Sequence, residues 1–165
     1  MPGAHPSLEP VAVEIASTLE FLIGEWSIER AITDHLDRRD ARFSGAATVR
    51  RSGASAAVYL EQGEVSFGAH RGPARRTLGL REQPDGTVGV DFRDGRPFLE
   101  LDLRDGRCMA SHPCRADAYE LVYEVASLDR ICERWRVTGP AKDYVAETVW
   151  RRRRGSNLEN AEGKG

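Results

Sequence analysis

Phe21-Leu22-Ile23-Gly24-Glu25-Trp26 marks a change of period in the chain. Before it, Ser17 or Thr18 can cap a short helix whose apolar residues are Leu19, Leu22 and Ile23, with Phe21 beside them. Gly24 ends that helix, because glycine leaves a helical backbone at little steric cost. After it the period is two. Trp26, Ile28 and Ile32 share one face with Arg30, while Ser27, Glu29 and Thr33 take the other. The stretch predicts a short helix running straight into a first β-strand.

Working outward, the same alternation recurs. Phe43, Gly45, Ala47 and Val49 fall on one face of 41–51, and Tyr59, Glu61, Gly63, Val65 and Phe67 share a register in 56–67. A loop is expected over 68–73. Further strands follow at 75–81, 87–92, 98–103, 107–114, 118–126, 131–138 and 144–152. Leu99, Leu101 and Leu103 share a register, as do Tyr119, Leu121, Tyr123 and Val125. Pro84-Asp85-Gly86, Asp94-Gly95, Asp105-Gly106 and Gly139-Pro140 supply the turns. About ten short strands with tight turns predict an all-β antiparallel meander. Closure into a barrel removes exposed edges, and a two-sheet sandwich is the rival arrangement. The domain is expected over 16–154, with a flexible arm at 1–15 and a disordered tail at 155–165.

A chain of 165 residues suits one domain. A formal net charge of −2 argues against a dedicated nucleic-acid binder. Arg151 to Arg154 is the one basic run, and it reads as a solvated strand end. There is no apolar run long enough for a membrane-spanning helix, and the first residues lack the pattern of a secretion signal. The three cysteines, Cys108, Cys114 and Cys132, make no paired framework. A cytoplasmic address with reduced thiols is therefore the expectation.

In a small barrel every second side chain points inward, so polar residues in an apolar register are candidates for function. Arg30 lies on the face of Trp26 and Ile28, and Glu61 on that of Tyr59 and Val65. If both point inward they should pair, since a lone buried charge is costly. His112-Pro113-Cys114-Arg115-Ala116-Asp117-Ala118-Tyr119 is the densest polar run. His112 there is the candidate acid/base, with Asp117 or Tyr119 orienting it. His-x-Cys matches no familiar metal spacing, and no metal or cofactor is expected. A Cys–His nucleophilic pair is disfavoured, because residues two apart on a strand do not face each other. Lys142, at the turn after Gly139-Pro140, could meet an acidic ligand or simply pair with Asp143.

Taken together, Phe21-Leu-Ile-Gly-Glu-Trp26, Tyr59-x-Glu61-x-Gly63, Phe92-x-Asp94-Gly95-Arg96-x-Phe98, His112-x-Cys114-x-x-Asp117-x-Tyr119 and Trp135-Arg-Val-x-Gly-Pro-x-Lys-Asp-Tyr144 resemble an uncharacterised bacterial family, domain of unknown function 6314. The resemblance runs from about Phe21 to Arg152. It implies a calycin-like barrel of the lipocalin or nitrobindin kind, in which a first-strand Trp plugs the floor and a last-strand Arg, here Arg152, stacks on it. It names no substrate. No histidine follows His112, which argues against a nitrobindin-type haem pocket.

The reading of function that follows is binding of a small, partly apolar molecule in the barrel. Trp26, Tyr59, Tyr119, Tyr123, Trp135 and Tyr144 would line the site, and Arg30, Glu61, His112 and Lys142 would orient the ligand. The alternative is a cofactor-independent isomerase, cyclase or hydrolase using the same cavity. A filled barrel serving as an interaction module is a third. A homodimer with a second copy of the chain is compatible with each of these readings.

Overall fold

The computed structural model describes residues 13–154. The expected tail at 155–165, and all of the expected arm but its last residues, lie outside the described residues. Ile15, at the arm's end, is buried, and its amide donates to the Arg104 carbonyl at 3.4 Å.

Ser17 caps helix α1 (Thr18–Leu22), its hydroxyl accepting from the Glu20 amide at 3.2 Å. The helix is too short to be stable alone and holds through burial of Leu19, Phe21 and Leu22. Ten strands follow: β1 (Gly24–Asp34), β2 (Arg39–Gly53), β3 (Ala56–Phe67), β4 (His70–Glu82), β5 (Val88–Phe92), β6 (Pro97–Leu101), β7 (Arg107–Cys114), β8 (Asp117–Ser127), β9 (Arg130–Gly139) and β10 (Lys142–Arg152). Gly24, at φ 137°, makes the sharp exit from the helix that a side chain would strain.

The strands form one antiparallel sheet in the order β6-β5-β4-β3-β2-β1-β10-β9-β8-β7. Sequence neighbours pair except β6 and β7, which are the two edges of the sheet, and β1 pairs with β10 to bring the two ends of the meander together. The sheet curls into a nearly closed barrel. At the remaining seam β6 meets β7 through side chains: Cys108 Sγ accepts from the Asp102 amide at 3.4 Å, and the Phe98 ring meets the edge of His112.

Two local departures from the alternation matter. The expected loop at 68–73 belongs to strand for most of its length, and Pro73 pairs with Glu64. Strand β4 pairs with β5 only over Leu78–Glu82, so near Pro73 its outer side is unpaired and the missing N–H breaks no ladder bond. In β6 the register slips, Val90 facing Leu99 while Asp91 faces Pro97. Phe98 is the extra residue of this bulge and turns into the core beside Leu101 and Leu103.

One end of the barrel is plugged by α1. Trp26 Nε1 donates to the Leu22 carbonyl at 2.9 Å, and Thr18 Oγ1 accepts from the Leu103 amide at 2.9 Å. At the other end lie the turns after β1, β3, β5, β7 and β9, and His112, Tyr119 and Tyr144 near that end are partly exposed.

Candidate functional site

Midway up the barrel the inward alternation places four ionisable side chains among apolar ones: Arg30 on β1, Glu61 on β3, Arg76 on β4 and Glu133 on β9. Arg30 and Glu61 close a two-pronged ion pair, Nη2 to Oε1 at 2.7 Å and Nη1 to Oε2 at 3.1 Å. Arg30 Nε donates to Thr148 Oγ1 at 2.9 Å, and the Tyr59 hydroxyl donates to Glu61 Oε1 at 2.8 Å. Burial pushes the Glu61 carboxyl up, but the Arg30 hydrogen bonds and the Arg76 charge outweigh it and hold it below the usual carboxylate range. This pair is saturated.

The other two groups are not. Arg76 lies between the rings of Tyr59 and Trp135, its Cζ 5.8 and 5.7 Å from their centroids. Its side chain keeps 34% of its surface exposed toward the mouth, yet its Nε is buried and has no hydrogen-bond partner. Glu61 Oε2 is 3.7 Å from that nitrogen, beyond hydrogen-bond reach. Glu133 is 3% exposed and takes indole N–H bonds from Trp135 on Oε1 and from Trp150 on Oε2, the latter at 2.8 Å. Burial pushes its pKa up, and the charges of Arg30 and Arg76 offset only part of that.

Arg76 and Glu133 line the same chamber. Its remaining walls are apolar: Leu78 and Leu80 on β4, Val90 on β5, Leu101 on β6, Tyr123 on β8 and Trp150 on β10. Leu22 of α1 is at the floor, and Phe98 and Trp135, ring centroids 5.3 Å apart, lie with Arg76 toward the mouth. Space open to the centre of a water-sized sphere is about 30 Å³, room for roughly one or two small molecules of water size. The interior is thus nearly filled.

The sequence-predicted residues fall into three places. Tyr59, Tyr123 and Trp135 line the chamber. Trp26, Arg30 and Glu61 lie outside its lining, Trp26 in the floor plug and the ion pair in the layer beside the chamber. His112, Asp117, Tyr119, Lys142 and Tyr144 gather at the mouth. There the His112 ring centroid is 5.7 Å from that of Phe98 and 6.2 Å from that of Tyr119. No hydrogen bond joins His112 to Asp117 or Tyr119 among the described residues. Lys142 takes both instead, donating to the Tyr119 hydroxyl at 3.0 Å and pairing with Asp117 at 3.1 Å.

Arg76 and Glu133 escaped the sequence reading, although the rule that singled out Arg30 and Glu61 applies to them. Arg76 shares its register with Leu78 and Leu80, and Glu133 shares its own with Ile131, Trp135 and Val137. Phe98 carried no such signal, because a bulge put it inside. Among the described residues no group of three or more His, Cys, Asp and Glu is placed to hold a metal ion. No helix there is long and apolar enough to cross a membrane.

Among solved structures, the S-type phycobiliprotein lyase CPES from Guillardia theta resembles this fold with a TM-score of 0.60. Identity is 12%, over 84% of this chain and 92% of that one. A protein of unknown function from the DUF3598 family of Nostoc punctiforme gives a TM-score of 0.58 at 18% identity, over 89% of this chain and 53% of that one. At such identities the likeness is one of fold, and it supports the barrel. None of the curated proteins matches the chain in sequence. Residues 22–152, from the end of α1 through the arginine above Trp26, match the family of unknown function DUF6314, and the chain belongs to that family.

Proposed function

We propose that this protein binds a small, largely apolar molecule inside the barrel, with a hydrogen-bond-accepting head turned toward Arg76. The observation that carries this is the unpartnered, buried Arg76 Nε at the edge of an otherwise apolar chamber. A buried donor without an acceptor costs about 1–3 kcal/mol, and an acceptor on a ligand removes that cost. Apolar walls with a few convergent polar groups are the usual make-up of a small-molecule site. Because the chamber is small, a ligand larger than water needs Arg76 and Trp135, both partly exposed, to swing toward the mouth.

Native mass spectrometry of protein purified from its own host tests this directly. A retained small molecule is expected, lost in Arg76→Met and in Leu80→Trp, which fills the chamber. His112→Ala should weaken retention with the fold intact, and His112→Phe should obstruct the mouth. A wild-type protein that retains nothing and binds no added compound supports the filled-barrel interaction module instead.

A cofactor-independent enzyme is the second reading. Glu133 favours it, since burial pushes its carboxyl toward the neutral form, from which it can donate a proton, and His112 at the mouth is a further polar group. Turnover of a retained or trial compound, abolished in Glu133→Gln, separates this reading from binding alone.

A further inference from the structure

We infer that the ligand of the chamber is a small monocarboxylic acid, held between Arg76 and Glu133 with a single proton shared between its carboxylate and the Glu133 carboxyl. This rests on the chamber being a ligand site, and names what that site takes.

The barrel interior holds two arginines and two glutamates: Arg30, Arg76, Glu61 and Glu133. Arg30 and Glu61 neutralise each other in their two-pronged pair. Arg76 keeps only a long contact to Glu61, 3.7 Å from Nε to Oε2, and lines the same chamber as Glu133; among the described residues no ion pair joins Arg76 to Glu133. An acceptor placed between them would satisfy the buried Arg76 Nε, whose lack of a partner is costly.

The bridging group is constrained from both sides. Toward Arg76 it must offer an acceptor, because guanidinium nitrogens only donate. Toward Glu133 it must engage carboxylate oxygens that each already accept one indole N–H, from Trp135 and Trp150, leaving further lone pairs for a proton. A carboxyl group meets both demands. One oxygen accepts from Arg76, and the other joins Glu133 through an O–H···O bond. The walls from Leu78 to Leu101 are apolar and suit a short aliphatic or aromatic body, for which the partly exposed side chains at the mouth have to move aside.

Protons balance simply. The carboxylate from solution, the Glu133 carboxylate and one proton from the solvent give a complex in which one O–H···O bond joins two carboxyl groups. No other bond forms or breaks. The complex sums to zero charge with both arginines ionised. An acid bound without the proton would leave the interior negative. The charged and titratable groups around Glu133 are Arg30 from β1, Tyr59 and Glu61 from β3, Arg76 from β4 and Tyr123 from β8. The two tyrosines are held neutral, burial first pushing each phenol above its ordinary pKa. Glu61 is held ionised by Arg30. Glu133 is then the group left to carry the proton, in keeping with the upward push of burial on its pKa.

The test uses the full chain with benzoate and hexanoate as probes and benzamide as the uncharged isostere of benzoate. Isothermal titration in two buffers of different ionisation enthalpy reads proton uptake on the wild-type protein. Uptake approaching one proton per ligand is expected above the Glu133 pKa. Affinity for benzoate should fall about tenfold per pH unit there, the slope of one linked proton. In Glu133→Gln, whose amide donates at every pH, the profile should be flat, with circular dichroism checking the fold. Arg76→Met should lose benzoate binding at every pH. The inference falls if benzamide binds as well as benzoate, or if benzoate binds without proton uptake. It also falls if the molecule retained from the host lacks a carboxyl group. Each of those results leaves the chamber a ligand site. If no probe binds and no molecule is retained, that reading falls as well.

Discussion

Arg152 lies directly across the β1–β10 ladder from Trp26 and places its guanidinium 4.1 Å from the centre of that indole. It also donates to the carbonyls of Phe21 at 2.8 Å and Ile23 at 3.2 Å, so the last strand is tied to the end of α1. Trp26 is fully buried, with Phe21 and Trp150 packed edge-on to its ring. Trp26→Ala should cost about 3–5 kcal/mol by denaturant unfolding, as for other buried large-to-small changes. Arg152→Ala should cost about 1–3 kcal/mol, because it leaves helix-end carbonyls unpaired. A loss below about 1 kcal/mol for Trp26→Ala would contradict its role as the plug.

The Arg30–Glu61 pair should show the asymmetry of buried ion pairs. Removing one partner, as in Glu61→Ala, should cost about 3–5 kcal/mol, whereas Arg30→Met with Glu61→Leu should cost much less. Stability curves from the two single variants and the double variant decide it. Equal losses in the single and double variants would show that the charges themselves are not what the fold depends on.

Two carboxyls shift in opposite directions, so stability should depend on pH from both sides. The Glu61 pKa is lowered in the fold. Its contribution is complete above the ordinary carboxylate value of about 4.3 and is lost as pH falls through its lower folded value. The Glu133 pKa is raised. Its neutral form is favoured in the fold, so stability declines as pH rises from the ordinary value through the raised one. Urea midpoints measured from acid to neutral pH should therefore pass through a maximum. Glu133→Gln should abolish the decline on the high-pH side only.

Gly45 and Gly63 face each other across β2 and β3, with the Phe43 ring over both. A methyl on either would collide with the partner backbone and that ring. Gly63→Ala should therefore destabilise by at least about 1–3 kcal/mol. Gly79, on the outer side of β4, has open space at the same position. Gly79→Ala should be neutral or stabilise by up to about 1 kcal/mol. Melting temperatures of the two variants should move in different directions, and a similar loss in both would count against the close approach.

Cys108, Cys114 and Cys132 are all free thiols. Thiol titration of the denatured, unreduced protein should give three groups, matching the three cysteines. In the native protein Cys114, which is exposed, should label first. Cys108 should be slow, since burial pushes its thiol pKa up at the β6–β7 seam. Mass-spectrometric mapping of a brief alkylation reads the order.

What the sequence by itself determined was whatever depends on local sterics. Alternation of side chains is a property of one extended strand, so the inward faces of β1, β2, β3 and β8 were legible residue by residue. Positive-φ glycines at Gly86, Gly95 and Gly106 made the tight turns legible too. The pairing of Arg30 with Glu61 followed, because both sit in apolar registers of a closed sheet. Alternation does not say how high in the barrel a side chain lies, nor which far strand it faces. Those depend on the register of every ladder between the two strands, and a bulge in one of them shifts everything beyond it. So the bulge that turned Phe98 inward, the transfer of Asp117 and Tyr119 from His112 to Lys142, and the placing of Arg76 and Glu133 in one chamber were decided only by the closed barrel. The size of the chamber was decided there as well, since it is the space left after side chains from nearly every strand have packed together.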